Sequence, residues 1–332
     1  MGSGMIPNNI LMAYEGKTVW VTGASGYIGS QIVGALPATA CQVVSVSRSE
    51  SEAGIGGNIA ESSFWTRELK RYRPDVVFHL AGQTSAYHAD KDPEADWRSN
   101  TGPMIALLEG CRLSDHSPQI VYASTTTVTG LTTSVPVNED RADEPLTLWD
   151  LHQLTAERYL KNYCQRGIVR GASLRLANVY GPGKSVGSSD RGIMNKMINK
   201  GLAGEPIVIY GDGSPIRDYA YVGDVVAAFI HAGAAPETVT GRHFVIGSGE
   251  GHSLSQAFNL VADRVFESTG KRPPVTHVNW PDGSAEIEFR NFVADTTAFN
   301  AATGWQAETS LMNGIDETLK SSELSYTELR LT

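Results

Sequence analysis

Three glycines, Gly23, Gly26 and Gly29, stand at GxxGxxG spacing in TGASGYIG, directly after the apolar run KTVWV and at the head of a helix-like stretch. A strand, a glycine loop and a helix in that order make a cradle for a dinucleotide pyrophosphate. Gly23 permits the tight turn, Gly26 lets the backbone approach the phosphates, and Gly29 lets the helix pack closely. The N–H groups at the helix start then meet the anion, which assigns Gly23, Ser25, Gly26, Tyr27, Ile28 and Gly29 to cofactor binding. The second strand ends in VSVSRS, without an acid to hold a ribose diol. Ser47, Arg48 and Ser49 offer hydroxyls and a guanidinium suited to a 2′-phosphate, so NADP(H) is favoured, with NAD(H) as the alternative. Asn58, with Ile59 beside it, is placed near the adenine. Leu80, Ala81 and Gly82 end the fourth strand, where small residues admit the cofactor.

These residues need a scaffold, and the pattern from Lys17 onward supplies one. Strand-like KTVWVT, CQVVSVS, DVVFHLAG, QIVYAST and GASLRLA alternate with helical YIGSQIVGAL, FWTRELKRY and stretches near 96–112 and 148–165. Apolar strands separated by amphipathic helices predict an α/β protein with a doubly wound, parallel, Rossmann-type sheet. The dinucleotide-binding domain is expected over residues 14–180, with 218–247 returning to it. A smaller C-terminal α+β substrate lobe is expected over 181–217 and 248–330, with a helix at 193–200, short strands (IVIYGDG, VTHV, FRNFVAD) and two late helices, while helical VGDVVAAFIHAGA and strand-like HFVIG fall in the returning stretch. Residues 1–13 read as a frayed tail or cloning remnant.

The chain has 332 residues, 41% of them hydrophobic and 19% charged, which excludes a disulfide mini-scaffold and a disordered chain. Its 36 acidic and 27 basic residues give a net charge of −9, leaving no basic footprint for nucleic acid or an anionic membrane. Cys41, Cys111 and Cys164 are odd in number and lack metal-ligand spacing, so they read as buried free thiols in a reducing, cytoplasmic setting, with no metal site. No apolar run approaches the roughly 18 residues of a membrane span.

Together these motifs resemble the extended short-chain dehydrogenase/reductase family of nucleotide-sugar epimerases, dehydratases and ketoreductases. The likeness covers nearly the whole chain. TGASGYIG resembles the family's cofactor loop, VVFHLAG its fourth-strand motif, Asn100 its helix Asn, and IVYASTTTVTG its fifth strand ending at an active-site hydroxyl, here Thr125 with Ser124 beside it. LRLANVYGPG, IYGDGSPIRDYAYVGDV, FVIGSGEGHSL and FRNFVAD follow in the family's order. The resemblance implies a nucleotide-sugar substrate touched by Thr84 and Asn178, with Arg217 and Arg290 on its diphosphate. An arginine fork suits phosphate oxygens, and an acidic protein that binds a dianion needs such local cations. The resemblance also implies a homodimer built on the helices that begin near Asp96 and Trp149. TAERYLKNYCQRGIVRGASLRLANVYGP looks most like the NDP-6-deoxyhexose 4-ketoreductases of antibiotic-sugar pathways.

The family's redox chemistry rests on a Tyr-x-x-x-Lys pair. Alignment on LTAE puts Trp149 at the Tyr position and Gln153 at the Lys position, both on one helix face. An indole N–H can hydrogen-bond a carbonyl but is no general acid, and Gln can bond ribose hydroxyls without supplying a positive field. Loss of a positioned acid removes a factor of about 10² to 10⁴. The substitutes are His152, about 60° round the helix from Trp149, Asp150 farther round, and Thr125. Tyr87, Tyr180 and Tyr219 also carry phenols near the expected cleft. The leading expectation is 4-keto reduction with a non-standard proton donor. The alternatives are a member with no net redox step (epimerase, dehydratase or cyclase) and a cofactor-bound pseudoenzyme or partner subunit.

Overall fold

Seven parallel strands form the main sheet of the computed structural model, which describes residues 6–37, 40–47, 54–132, 134–183 and 192–329, the last seven of these by backbone alone. The first six are β1 (Thr18–Thr22), β2 (Gln42–Ser47), β3 (Gly54–Gly56), β4 (Val76–His79), β5 (Gln119–Thr125) and β6 (Arg170–Leu176). Between and before them run helices α1 (Asn8–Met12), α2 (Tyr27–Ala35), α3 (Ser62–Tyr72), α4 (Ala86–Lys91), α5 (Pro93–Ser114) and α6 (Leu148–Gln165). After β6 the chain forms β7 (Asn178–Tyr180), α7 (Ile193–Leu202), β8 (Ile207–Tyr210), β9 (Ile216–Tyr221), α8 (Val222–Ala234) and α9 (Pro236–Val239). It then returns to the main sheet as β10 (Arg242–Ile246), which pairs with β6. The remaining elements are β11 (Gly251–Ser253), α10 (Leu254–Thr269), β12 (Val275–Val278), α11 (Thr297–Thr303) and α12 (Leu311–Leu329).

The main sheet runs β10-β6-β5-β4-β1-β2-β3. Its strand order reverses between β1 and β4, so the loops leaving these two strands splay apart and open a crevice at their carboxyl ends. Successive residues of β1 face opposite sides: Val19 and Val21 pack in one apolar cluster with Phe78 and Phe229, and Trp20 packs in another with Val77, Leu107 and Ile120. Burial on both faces explains why these strands read as unbroken apolar runs. A third cluster, with Met197, Ile209, Tyr219, Phe258 and Ile315, joins α7, α10 and α12 to the small sheets β11-β9-β7 and β12-β8.

Three expectations change. Residues 8–12 of the expected tail form α1, with Ile6 and Ile10 packed on the core and the nearby Tyr14 hydroxyl donating to Ile230 O at 2.7 Å. FRNFVAD is not a strand. Its Phe292 N–H bonds Ile216 O while its neighbours exchange bonds with Val137, so its partners alternate and no ladder forms. The last third carries α10, α11 and α12 where two helices were expected. Cys41 and Cys111 are buried and Cys164 is half-buried, all three as free thiols. Among the described residues there is no cluster of metal ligands and no helix long and apolar enough to cross a membrane.

His79 closes β4 directly under the crevice. It is fully buried, bonded through Nδ1 to Thr22 Oγ1 at 3.0 Å, and burial lowers its pKa from 6.5 to about 4. As the pH falls from 6.5 toward that value, the unfolded chain takes up a proton that the folded ring refuses, so this group's contribution to stability shrinks. Its imidazole C–H resonances are expected to keep their neutral positions down to about pH 5, where an exposed histidine is already charged. A His79 resonance that titrates near 6.5 would contradict the buried, neutral ring.

Candidate functional site

The crevice at the strand-order switch opens into a cleft of about 880 Å³. Gly23, Gly26, Tyr27, Ile28 and Gly29 line one wall, and Leu80, Ala81, Gly82 and Thr84 line the next. Gly23 takes φ +69°, and a Cβ on it would lie 2.9 Å from Ala81 N, so the turn depends on glycine. At Gly29 a Cβ would stand 2.2 Å from Gly23 O, so this glycine lets α2 press against the turn itself. Gly26 caps α2 with no side chain, leaving its first N–H groups to the cleft. Tyr27 braces the wall, its hydroxyl donating to Gly181 O at 2.8 Å, while Gln31 Nε2 donates to Pro182 O at 2.8 Å. A glycine cradle at a helix start, with the buried Ser124 Oγ lacking a partner farther along the same cleft, fits a dinucleotide.

Other residues assigned to the cofactor lie elsewhere. Ser25 is not in the cleft wall. Asn58 is exposed and turned onto Glu61, with Nδ2 to Oε1 at 2.8 Å, and Ile59 packs into the Trp20 cluster while its carbonyl accepts from Trp65 Nε1. A local Asx turn and an apolar contact therefore claim both residues. Arg48 and Ser49 lie outside the described residues.

At the other end of the cleft, β5 and α6 bring Ser124, Thr125, Trp149 and Gln153 together. The helix starts sharply because Thr147 and Asp150 form a capping box. Four-residue spacing puts Trp149 and Gln153 in the wall, but Trp149 Nε1 and Gln153 Oε1 are already engaged. Trp149 Nε1 donates to Gln83 O at 2.9 Å, so the indole is a wall and offers a substrate carbonyl no donor. Gln153 Oε1 accepts from the Tyr122 hydroxyl. Burial drives the Tyr122 pKa far above its ordinary value, so this phenol stays protonated. Tyr122, two residues before Ser124 on the same strand, was missed although period-2 alternation places both on one face. Gln83 was missed as well. Lys196 and Thr318 also line the cleft, brought by α7 and α12 with no local signal.

His152 does not reach the cleft. It faces α5, with Nδ1 2.6 Å from Asp96 Oδ2 and its ring edge against Trp97, because the same helical turn that points Trp149 inward points residue 152 at the neighbouring helix. Asp96 also accepts from Gln83 Nε2 and from Asn100 Nδ2, tying the 82–85 loop to α5. Of the three phenols, Tyr87 is exposed, Tyr180 donates to Leu311 O, and Tyr219 is buried; none lines the cleft.

Asn178, Arg217 and Arg290 form a group of their own outside the cleft lining, although Val179, the neighbour of Asn178 in β7, does line it. Arg290 Nη2 lies 3.5 Å from Asn178 Oδ1, and Arg217 Nη1 donates to Arg290 O. Both arginines are buried, and the nearest carboxylate of Arg217 is Glu288 at 4.0 Å. Burial and the adjacent Arg290 charge lower the Arg217 pKa to about 9, and Arg290 Nε has no partner. Two neighbouring guanidiniums short of counter-charge favour an anion.

Residues 19–247 match the sequence model of the NAD dependent epimerase/dehydratase family. A UDP-glucose 4-epimerase of Mycolicibacterium smegmatis is 29% identical over 314 residues, covering 90% of this chain and 96% of that protein. Among solved structures, the UDP-glucose 4-epimerase of Thermotoga maritima with UDP-glucose superposes with a TM-score of 0.82 at 27% identity, covering 93% of this chain and 99% of that one. The UDP-glucose 4-epimerase of Thermus thermophilus in complex with NAD gives a TM-score of 0.78 at 28% identity, covering 92% and 99%.

Proposed function

The chain belongs to the NAD dependent epimerase/dehydratase family, and on that premise we propose that it binds a nucleotide-sugar beside a nicotinamide dinucleotide and inverts one hydroxyl-bearing carbon of the sugar. The observation that carries the substrate class is the buried Arg217–Arg290 pair, which a diphosphate would neutralise through charge-assisted hydrogen bonds. Asn178 then faces the nucleotide-sugar, and Thr84 and Thr125 face the sugar from the opposite wall. The glycine loop holds the dinucleotide, whose nicotinamide supplies reversible hydride acceptance. Gln153 bonds the nicotinamide ribose through its Nε2, and Trp149 stands where the family's reactive tyrosine is expected, shaping an apolar face. A 2′-phosphate preference rests on the missing acid after Val46 and on Arg48.

Net 4-keto reduction of an NDP-6-deoxyhexose is the second reading, favoured by the likeness of residues 155–182 to the 4-ketoreductases. Exposed Trp97, Leu151 and Tyr159 on α5 and α6 support a homodimer through these helices. Purified protein is to be incubated with catalytic NAD⁺ or NADP⁺ and a panel of UDP- and dTDP-hexoses, and separately with excess NADPH or NADH and their 4-keto forms, with products followed by NMR and nicotinamide absorbance. An epimer of unchanged mass, formed without net cofactor consumption, is expected. Stoichiometric loss of NADPH with a 4-keto sugar transfers the assignment to the reductase reading. No product from any sugar with either cofactor refutes both.

A further inference from the structure

A line of oxygens leads from the cleft wall into the protein. Thr125 Oγ1 lies 2.8 Å from Thr127 Oγ1, Thr127 Oγ1 donates to Asp150 Oδ1, and Asp150 is only 1% exposed. The directions follow from what each group has left. Thr127 spends its proton on the carboxylate, so its oxygen accepts from Thr125. The Thr127 N–H donates to Thr125 Oγ1 at 3.2 Å. Thr125 thus points its own proton inward and keeps one lone pair for the cleft.

The helix cap accounts for only half of Asp150. Its Oδ2 accepts from Thr147 N at 3.3 Å, which is the capping-box bond, and also from Thr147 Oγ1 at 2.8 Å, whereas Oδ1 is turned to Thr127. Burial raises the Asp150 pKa, against the hydrogen bonds from Thr127 and Thr147 and the positive charge of Arg290. That brings the carboxyl closer to a working proton acceptor than a surface aspartate is.

Building on the nucleotide-sugar reading above, we infer that Thr125, Thr127 and Asp150 form a proton relay that takes the sugar hydroxyl proton as its carbon is oxidised and hands it back as the carbon is reduced. The sugar O–H bond breaks and its proton joins Thr125 Oγ1. The Thr125 proton passes to Thr127 Oγ1, and the Thr127 proton ends on Asp150 Oδ1 as a neutral carboxylic acid. An oxidised nicotinamide held by the glycine loop would take the carbon's C–H electron pair as hydride, so that one proton and one hydride would balance the ketone. Thr125 is the catalytic residue of this set, and Thr127 and Asp150 act through it. Asp150 is shut away from water, so its proton returns to the sugar. A closed cycle of that kind suits inversion at one carbon, whereas each net reduction would leave a carboxylate to be reprotonated.

The test uses Thr127→Val, which breaks the line but keeps the helix cap and the Thr125 hydroxyl, Thr127→Ser, which restores it, and Asp150→Asn, which keeps the cap but cannot take a proton. With the sugar turned over by the wild type, Thr127→Val is expected to lower kcat about 100-fold or more with KM changed less than about threefold. Thr127→Ser is expected to recover to within about fivefold, and the Thr127→Val/Asp150→Asn double variant to fall no lower than either single. A second readout needs no turnover: the infrared carboxyl stretch lost in Asp150→Asn is titrated in each variant. Its midpoint is expected to rise in Thr127→Val, where the charged form loses a donor, and to move also in Thr125→Val, although Thr125 does not touch Asp150. A Thr127→Val kcat within about threefold of wild type, or an Asp150 midpoint unmoved by Thr125→Val, overturns the relay. If the wild type turns over no nucleotide-sugar, the proposed function fails, and the infrared midpoints alone decide whether the three groups share a proton path.

Discussion

Replacing Gly29 by alanine is expected to weaken dinucleotide binding by at least about 100-fold, or roughly 2.7 kcal/mol. The added Cβ would stand 2.2 Å from Gly23 O, 2.8 Å from Gly23 C and 3.1 Å from Ala24 Cα. All three are backbone atoms, so no side chain can swing aside. Relief requires α2 to move off the turn, which carries its N–H groups away from the position proposed for the pyrophosphate. Gly34→Ala in the same helix provides the control, because its Cβ would meet nothing within 4 Å and alanine is the better helix former by about 1 kcal/mol. Binding of NADP⁺ and NAD⁺, measured by calorimetry on both variants, separates lost helix placement from general helix damage. Gly29→Ala binding within about threefold of wild type would mean that this contact does not set the cradle. The wild-type ratio of the two affinities also checks the proposed 2′-phosphate preference.

The second large effect concerns the strut that holds α6. Arg175 on β6 is 1% exposed at its side chain and pairs with Glu157 of α6, Nη2 to Oε2 at 2.7 Å, and with Asp143 at 2.7 Å. Glu157 lies one turn beyond Gln153 on the same buried face, so this pairing sets the register in which Trp149, Asp150 and Gln153 meet the cleft. Arg175→Met leaves Glu157 charged and unpaired in the interior, at an expected cost of about 3 to 5 kcal/mol. Asp143 keeps Arg158 as a partner. Arg175→Met/Glu157→Leu removes both charges and is expected to cost less than Arg175→Met alone, since a well-packed apolar replacement of a buried pair is often close to neutral. Urea unfolding curves read at constant m-value measure both. A single-variant loss below about 1 kcal/mol, or a double variant as unstable as the sum of the singles, would show that the pair is not the strut.

Much of this site can be read from local residue patterns. The glycine loop, Leu80 with the small Ala81 and Gly82, and the Ser124–Thr125 strand end all line one cleft because each lies at the carboxyl end of a strand whose own sequence makes it a buried parallel strand. The helix over Leu148–Gln165 has the bounds expected from its apolar spacing. Misplaced residues share a different property. Position after a glycine pair points Asn58 to the adenine with Ile59 beside it, but neighbouring residues claim both. The angle from Trp149 makes His152 a candidate donor, but that angle does not say which helix stands beside it. FRNFVAD has the composition of a strand, but its hydrogen-bond partners change from Ile216 to Val137 along its length.

The sequence by itself determined the layered α/β architecture, the dinucleotide cradle and the residue types that can grip an anion. Each of these rests on periodicity or backbone freedom within a few residues. Tertiary structure alone decided how the polar atoms at the reactive end are spent. Trp149 meets the Gln83 carbonyl across 66 residues, His152 meets Asp96 across 56, and Thr127 meets Asp150 across 23. A hydrogen bond needs its partner within about 3 Å, and segments so far apart in the chain reach that distance only through the packing of α5, α6 and β5. The type of a polar side chain therefore says which protons it can hold, and the crossing of these elements says to which neighbour it gives them.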